Sequence, residues 1–369
     1  MAARPATRTI RERPVETPQP RPAVRDLSRG PASFTIDWDV RPAFDFVFSL
    51  SGDAGATDDL PAEDRAWLSD SKASMPPEIE VEFKRLFESE VCIHVPIIAI
   101  GRPEIRTAAD LVAAVEATPY REVLLGLFDE GPGDQQLHEL VAKALDGDQS
   151  VMPAIEESLP DWKREARLGV IREPEQTIAN LLVVLRWWEK AFTPIESRIT
   201  EIIERDYEMR ATDRETLAPV DLIERTTGGI RWLPEAGVRR VILAPSYFTR
   251  PYNFLMNAAD WRFFAYPVAD DALEATDPLA APQAVVRLHR ALGDETRLRI
   301  LKLLAGRDLY LTEIAQQLDL SKPTIKHHLA LLRSAGLVTI TESGTVVYYS
   351  LRRNRLDDAS ADIKRFLIG

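Results

Sequence analysis

The sequence predicts an α+β protein: a mixed, mostly helical N-terminal domain followed by a small C-terminal domain of short helices and one hairpin. Three observations predict it. Apolar residues recur at helical spacing from about 107 to 210. Runs with β character lie on both sides of that stretch, at 34–40 and within 229–268. Beyond 282, capped helical segments follow one another at turn-length intervals and end in two β-rich runs around a glycine. The expected organisation is a disordered basic tail at 1–30, a mixed α/β domain at 31–270, a linker at 271–282 and the C-terminal domain at 283–369.

Charge separates these regions. The chain has a net charge of −12, yet residues 1–30 hold seven Arg against three acids, and residues 281–369 hold 14 Lys and Arg against nine Asp and Glu. The acidic balance therefore belongs to the middle, and each region must be judged by its own charge. The tail also holds five Pro and few large apolar residues, too little to offset the entropy of ordering it. It is expected to be a solvated leader, the alternative being a weak electrostatic contact with DNA. Overall, 45% hydrophobic and 28% charged residues are ordinary for a globular protein. No apolar run approaches the ~18 residues that cross a bilayer, and the N-terminus lacks the apolar core of a secretory signal. The single cysteine, Cys92, rules out an intramolecular disulfide. A cytoplasmic protein without membrane association is expected.

In the N-terminal domain, Phe34–Val40 alternates with period two and reads as a half-buried strand. Pro42 then opens a short apolar helix. Residues 51–63 read as a loop and 77–90 as a helix. Val91–Ile100 is a buried apolar run, strand or helix, that periodicity alone does not assign. Thr107 and Asp110 resemble a capping box with Asp in the usual Glu position. Helices are expected at 135–146, 150–167, 174–192 and 194–210, with Pro153, Pro174 and Pro194 near their starts. Gly229–Leu233, Val238–Leu243 and Arg262–Val268 read as strands.

The C-terminal domain begins with an amphipathic helix at 284–292, stopped at Gly293. Asp294 caps a helix at 295–304. Thr312 is expected to cap Glu313–Leu318. Asp319 and Leu320 make a turn, and Ser321 caps a helix running to about Ala335, where Gly336 ends it. Two short helices joined by a tight turn form a helix-turn-helix. On its second helix, Lys322, Lys326 and Arg333 project within ~40° of one another at 100° per residue. Ile325, His328, Leu332 and Ala335 lie on a different arc, assigned to the core, with Leu329 at the boundary. A β-hairpin follows around Glu342-Ser343-Gly344, and a final amphipathic helix spans 355–367. A helix-turn-helix with a hairpin is a winged helix.

The segments RALGDETRLRILKLL, LTEIAQQLDLSKPTIKHHLALLRSAGLV and VVYYSL resemble the ArsR family of winged-helix transcriptional regulators, over about 85 residues. The resemblance implies a homodimer built on the first and last helices of the module, acting as a repressor on double-stranded DNA. It places Ser321, Lys322, Thr324, Lys326 and His327 toward DNA, Arg333 as a phosphate contact, and a wing tip at Ser343 and Gly344. Two departures follow. The wing reads Thr341-Glu-Ser-Gly-Thr345, not the Arg-rich tip often seen, which weighs against minor-groove contact. The thiolate pair and the last-helix His ligands of metal-sensing members are absent, so no metal signal is expected. His327 then reads as a DNA contact and His328 as helix packing.

No catalytic signature occurs: neither a Gly-rich dinucleotide loop, a phosphate-binding loop, a nucleophile elbow nor a zincin motif. Ser246 sits in Ala-Pro-Ser-Tyr and is not expected to be a nucleophile. Cys92 and His94 alternate as two ligands on one strand face would, but no further ligand is near, so a buried thiol and a satisfied imidazole are expected. All seven Trp precede residue 270; core packing is the default reading and the lining of a ligand pocket the alternative. The acidic pairs Asp58-Asp59 and Asp270-Asp271 are expected to be solvated. No cofactor is expected. For residues 31–270 three roles stay open: a sensor or dimerisation domain gating DNA binding, with a small-molecule effector; an enzyme fused to its regulator; or an interaction surface for another protein.

Overall fold

The computed structural model describes residues 34–368 apart from 53, 56–58, 89–90, 129–134, 160, 274–280 and 344–345. The expected tail at 1–30 and most of the linker fall outside these residues. The elements run β1 (Thr35–Trp38), α1 (Pro42–Phe48), α2 (Ala62–Ala73), α3 (Pro77–Phe83), α4 (Ala108–Ala117), α5 (Tyr120–Leu127), α6 (Gln135–Leu145), α7 (Met152–Ser158), α8 (Asp161–Arg172), α9 (Pro174–Met209), α10 (Ala211–Thr216) and α11 (Pro219–Thr226). Then come β2 (Ile230–Trp232), β3 (Arg240–Ser246), β4 (Phe254–Asn257), β5 (Trp261–Pro267), α12 (Gln283–Leu292), α13 (Glu295–Gly306), β6 (Leu309–Tyr310), α14 (Leu311–Leu318), α15 (Lys322–Ser334), β7 (Val338–Ser343), β8 (Val346–Leu351) and α16 (Arg353–Ile368). The fold is α+β, as the sequence predicts. No helix among the described residues is long and apolar enough to cross a membrane.

The first sheet has the order β1-β3-β5-β4, parallel except for β4 at one edge. Successive strand residues face opposite sides. Ile242, Ala244, Phe263 and Ala265 face the large core shared with α1 and α9. Val241, Leu243, Phe264 and Tyr266 face a smaller cluster with Ile223 of α11 and with Ile230 and Trp232 of β2. α1 is buried at every position. It is tied to α9 by the Trp188 indole, which donates to Ser49 Oγ at 2.7 Å. Asp45 of α1 accepts from the Ser246 hydroxyl (2.6 Å) and from the backbone N–H of Tyr247 and Phe248 (2.9 and 2.8 Å) at the end of β3. Burial pushes the Asp45 carboxyl up to about 6.

The capping box at α4 is present: Thr107 Oγ1 accepts from Asp110 N, and Asp110 Oδ2 accepts from Thr107 N. Several expectations are corrected. Pro194 does not start a helix, because α9 runs through it for 36 residues. An internal proline costs about 3 kcal/mol. Continuous burial of Trp188 and Phe192 before it, and of Ile199 and Ile203 after it, offsets that loss. The run at 150–167 is broken into α7 and α8, and Val91–Ile100 resolves as a buried 3₁₀ turn at Val95–Ala99. Helices α2, α10 and α11 and the short strand β6 were not anticipated. α14 starts at Leu311, not after Thr312; the Glu313 carboxylate accepts from the Tyr310 N–H at 2.9 Å.

The second sheet has the order β2-β7-β8-β6. Three of its strands are the hairpin β7–β8 and β6, paired antiparallel. The fourth, β2, comes from the region before α12. β2 lies parallel to β7, Ile230 opposite Ile340 and Trp232 opposite Glu342, and Ile340 N donates to Gly229 O at 2.9 Å. The side chains of Ile230 and Trp232 are 0% and 1% exposed in the cluster beneath the first sheet. Full burial of such side chains contributes about 1.5–3 kcal/mol each. β2 therefore joins two sheets, one through its backbone and the other through its side chains.

Candidate nucleic-acid interface

The helix α15 is set by local chemistry at both ends. Asp319 takes the left-handed conformation (φ 55°) that turns the chain out of α14, a state Asp tolerates better than most residues. Ser321 Oγ accepts from Thr324 N at 3.3 Å and lies 2.7 Å from Thr324 Oγ1. Gly336, at φ 72°, ends the helix. Ile325, Leu329 and Leu332 are buried against the other helices of the C-terminal core. Leu329, at the boundary by angle alone, belongs to that core.

The opposite face is bare over the first two turns. Ser321, Lys322, Thr324, Lys326 and His327 are all exposed. His328 is half-buried, with 16% of its side chain exposed, and its Nδ1 lies 3.8 Å from Asp294 Oδ1. Burial holds its pKa below the usual histidine range, against the pull of Asp294. Asp294 itself caps α13 by accepting from Arg297 N at 2.8 Å. The Arg297 guanidinium in turn donates to the carbonyls of Ala291 and Arg290 at the end of α12, each at 2.7 Å. These contacts fix α12, α13 and α15 relative to one another.

Arg333 shares the angular stripe of Lys322 and Lys326 but not their surroundings. It lies in the last turn of α15, roughly 16 Å along the axis from Lys322 at 1.5 Å per residue. There it is half-buried and lines a recess together with Arg225 of the N-terminal region. At the wing, Ser343 closes β7 with its backbone opposite Val346; Gly344 lies outside the described residues.

Two acidic pairs read as solvated are in part structural. Asp59 is 7% exposed. Arg287 of α12 donates to Asp59 at 2.5 Å and to Asp270 at 2.7 Å, and Arg250 donates to Asp270 and to the Val268 carbonyl. Arg287 thus clamps α12 onto residues Asp59 and Asp270 of the preceding region. Asp59 is 228 residues away in sequence, so no local signal points to it; Asp58 lies outside the described residues. Cys92 is buried and its thiol is pushed up to about 12 by that burial. His94 packs beside Phe254, ring centroids 5.4 Å apart. Among the described residues no three or more His, Cys, Asp or Glu side chains gather as a metal site would require.

The model of the arsR family of bacterial regulatory proteins matches residues 294–339, from the Asp294 cap to β7. The transcriptional repressor SdpR of Bacillus subtilis (strain 168) is 40% identical over 72 residues, 20% of this chain and 80% of its own length. The HTH-type transcriptional regulator KmtR of Mycobacterium tuberculosis is 38% identical over 82 residues, 22% of this chain and 63% of its own. Among solved structures, HlyU from Vibrio cholerae N16961 aligns at 30% identity with a TM-score of 0.20, over 24% of this chain and 95% of its own. All of these matches fall on a quarter or less of the chain.

Proposed function

The chain belongs to the ArsR family of bacterial regulatory proteins through its C-terminal residues, and from that premise we propose that it is a dimeric transcriptional repressor whose N-terminal domain gates DNA binding. The observation that carries this reading is the bare polar face on the first two turns of α15, with the opposite face locked in a core. Such a helix lies in a major groove with its N-terminal residues toward the base edges. Lys322 and Lys326 neutralise phosphates, while Ser321, Thr324 and His327 supply hydrogen-bonding groups. Arg333, half-buried beside the N-terminal region, is a poorer phosphate contact than its angle suggests. The wing tip at Ser343 and Gly344 carries no basic residue and adds little charge to the interface.

Exposed apolar residues on α16 support dimerisation by the last helix: Leu356 and Phe366 are 39% exposed, Leu367 69% and Ile368 81%. In this reading 283–369 is the DNA-binding domain, 31–270 the gating domain and 271–282 the link between them. The signal is not a metal, and the protein works in the cytoplasm, where the DNA is. Gating is supported by two physical joints: β2 on the free edge of the wing strand β7, and Arg287 on Asp59 and Asp270.

Selection from a random duplex library with the full chain, repeated at two salt concentrations, tests the reading. An enriched inverted repeat, its half-sites about 34 Å apart, is the expected outcome. Failure to enrich any sequence at either salt concentration would overturn it.

A further inference from the structure

The wing tip carries no basic residue, yet an arginine-rich stretch of the chain enters the fold beside it. Residues 1–30 hold seven Arg against three acids. The first described residue after them, Phe34, packs its ring edge to face on Trp232 of β2, centroids 4.8 Å apart. Trp232 stands opposite Glu342 where β2 pairs with β7, one strand spacing or about 4.8 Å away. Glu342 and Ser343 are the last two residues of β7 before the wing tip. Because β2 runs parallel to β7, both strands point toward that tip. Thr35 is fixed at the same end of the molecule: its N–H donates to Arg239 O at 2.9 Å, just before β3.

Reach and charge both favour DNA as the partner of that stretch. An extended chain covers at most ~3.6 Å per residue, so Arg29 stays within ~18 Å of Phe34 and Arg25 within ~32 Å. That range takes in the wing tip and the groove beside it. The corner where the chain enters offers these arginines little else. Its acids are mostly paired: Asp37 with Arg240 at 2.8 Å, Glu235 with Arg262 at 2.6 Å and Glu224 with Arg231 at 2.9 Å. Asp260 is exposed, next to the exposed Arg239, and the wing adds Glu342. Single carboxylates are weak rivals to a duplex, which presents a charge about every 1.7 Å of its axis. Guanidinium groups suit phosphate because they grip two of its oxygens at once.

We propose that the arginines of residues 1–30 bind the DNA backbone beside the wing, supplying the positive charge that the wing tip lacks. The partner is the phosphate backbone of the duplex held by α15, so the inference rests on the regulator reading above. Phosphate contacts hold a protein in register on DNA without reading its sequence. The segment therefore adds affinity and salt dependence and leaves the choice of sequence to α15. It also gives the N-terminal region a direct part in DNA binding, positioned through β2, the strand that joins that region to the wing.

The test compares the full chain with a full-length variant carrying Arg21→Gln, Arg25→Gln and Arg29→Gln, on the selected duplex at several salt concentrations. None of these positions takes part in a described contact. The variant is expected to bind roughly tenfold or more weakly at low salt and to lose about two from the slope of log affinity against log salt, at about 0.9 per phosphate. It should select the same sequence as the native chain. Equal slopes overturn the proposal, and so does tighter binding by the variant, which would place the arginines on the acidic domain or over α15. The position is read from an iron chelate tethered through Ser28→Cys and, in a second protein, through Ser343→Cys; the native Cys92 is buried and takes no label. The two tethers should cleave overlapping base pairs. Cleavage from Ser28→Cys that is absent, evenly spread or centred elsewhere overturns the placement at the wing. A native chain that binds no duplex at any salt concentration overturns the regulator reading and this inference with it, whereas equal slopes overturn this inference alone.

Discussion

The first two turns of α15 and its last turn belong to one helix but to different parts of the molecule. At the start, Lys322, Thr324, Lys326 and His327 stand in solvent, and the N-terminal domain does not cover them. At the end, Arg333 is half-buried and lines a recess shared with residues of that region. The helix thus has one end in solvent and the other beside the region that is proposed to sense the signal. Between the two ends the helix is packed rigidly through Ile325, Leu329 and Leu332. In the proposed reading, recognition and regulation use the same element at opposite ends.

This comparison can be broken most severely at Arg287. Arg287→Ala removes the guanidinium that pairs with the carboxylates of Asp59 and Asp270. Loss of one partner of a largely buried ion-pair cluster costs about 3 kcal/mol. Urea unfolding should show a lower midpoint, and a single transition should separate into two if the clamp is what makes the domains unfold together. An unchanged midpoint would mean that α12 is held by its own module alone.

A smaller effect is expected at Gly229, whose φ of +125° is open to glycine and whose added Cβ would meet Thr339 Cγ2 at 3.1 Å. Gly229→Ala should cost about 1–3 kcal/mol and loosen β2 from β7 while leaving the exposed half of α15 as it is. Proteolysis or amide exchange at 230–232 would detect the loosening. Equal protection in the variant would remove this joint from the account.

At the free end, Lys326→Ala should weaken duplex binding by roughly 1 kcal/mol for any sequence and reduce the salt slope by about one. A binding isotherm at several salt concentrations checks it, and an unaltered slope would take Lys326 out of the phosphate-contact set. The smallest effect is the pH response of His328. Burial lowers its folded pKa, so the unfolded chain binds the proton more readily. The stability this group contributes is present above about pH 6.5 and is lost as pH falls through the histidine range. Denaturation midpoints at neutral pH and near pH 5.5 should differ more in the native protein than in His328→Gln; identical pH dependences would count against the assignment.

What could be read in advance divides along the same line. From Asp294 to Gly336 the chain states its own structure through caps and turns: Asp294, Asp319, Ser321 and Gly336 each act on residues within a few positions. The face of α15 followed from helical spacing. What was not legible depends on partners remote in sequence. Asp59 and Asp270 look like solvated loop acids until Arg287 is brought to them. Pro194 looks like a helix start until the core of Trp188 and Ile199 holds the helix on both sides of it. β2 reads as a strand, but nothing in Ile230-Arg231-Trp232 says that its neighbour is the wing. Arg333 shows the limit of angular projection, which gives a direction around the axis and not what lies there.

The central claim, that the N-terminal domain and the DNA-binding helix respond as one unit, is tested most directly by hydrogen–deuterium exchange on the full chain with and without the selected duplex. The Ile340 amide, which donates to Gly229 O, reports the β2–β7 joint, and the amides of 322–327 report the free end. The account predicts that duplex changes protection at both. Protection that changes at 322–327 while Ile340 and 230–232 stay as they were would contradict it.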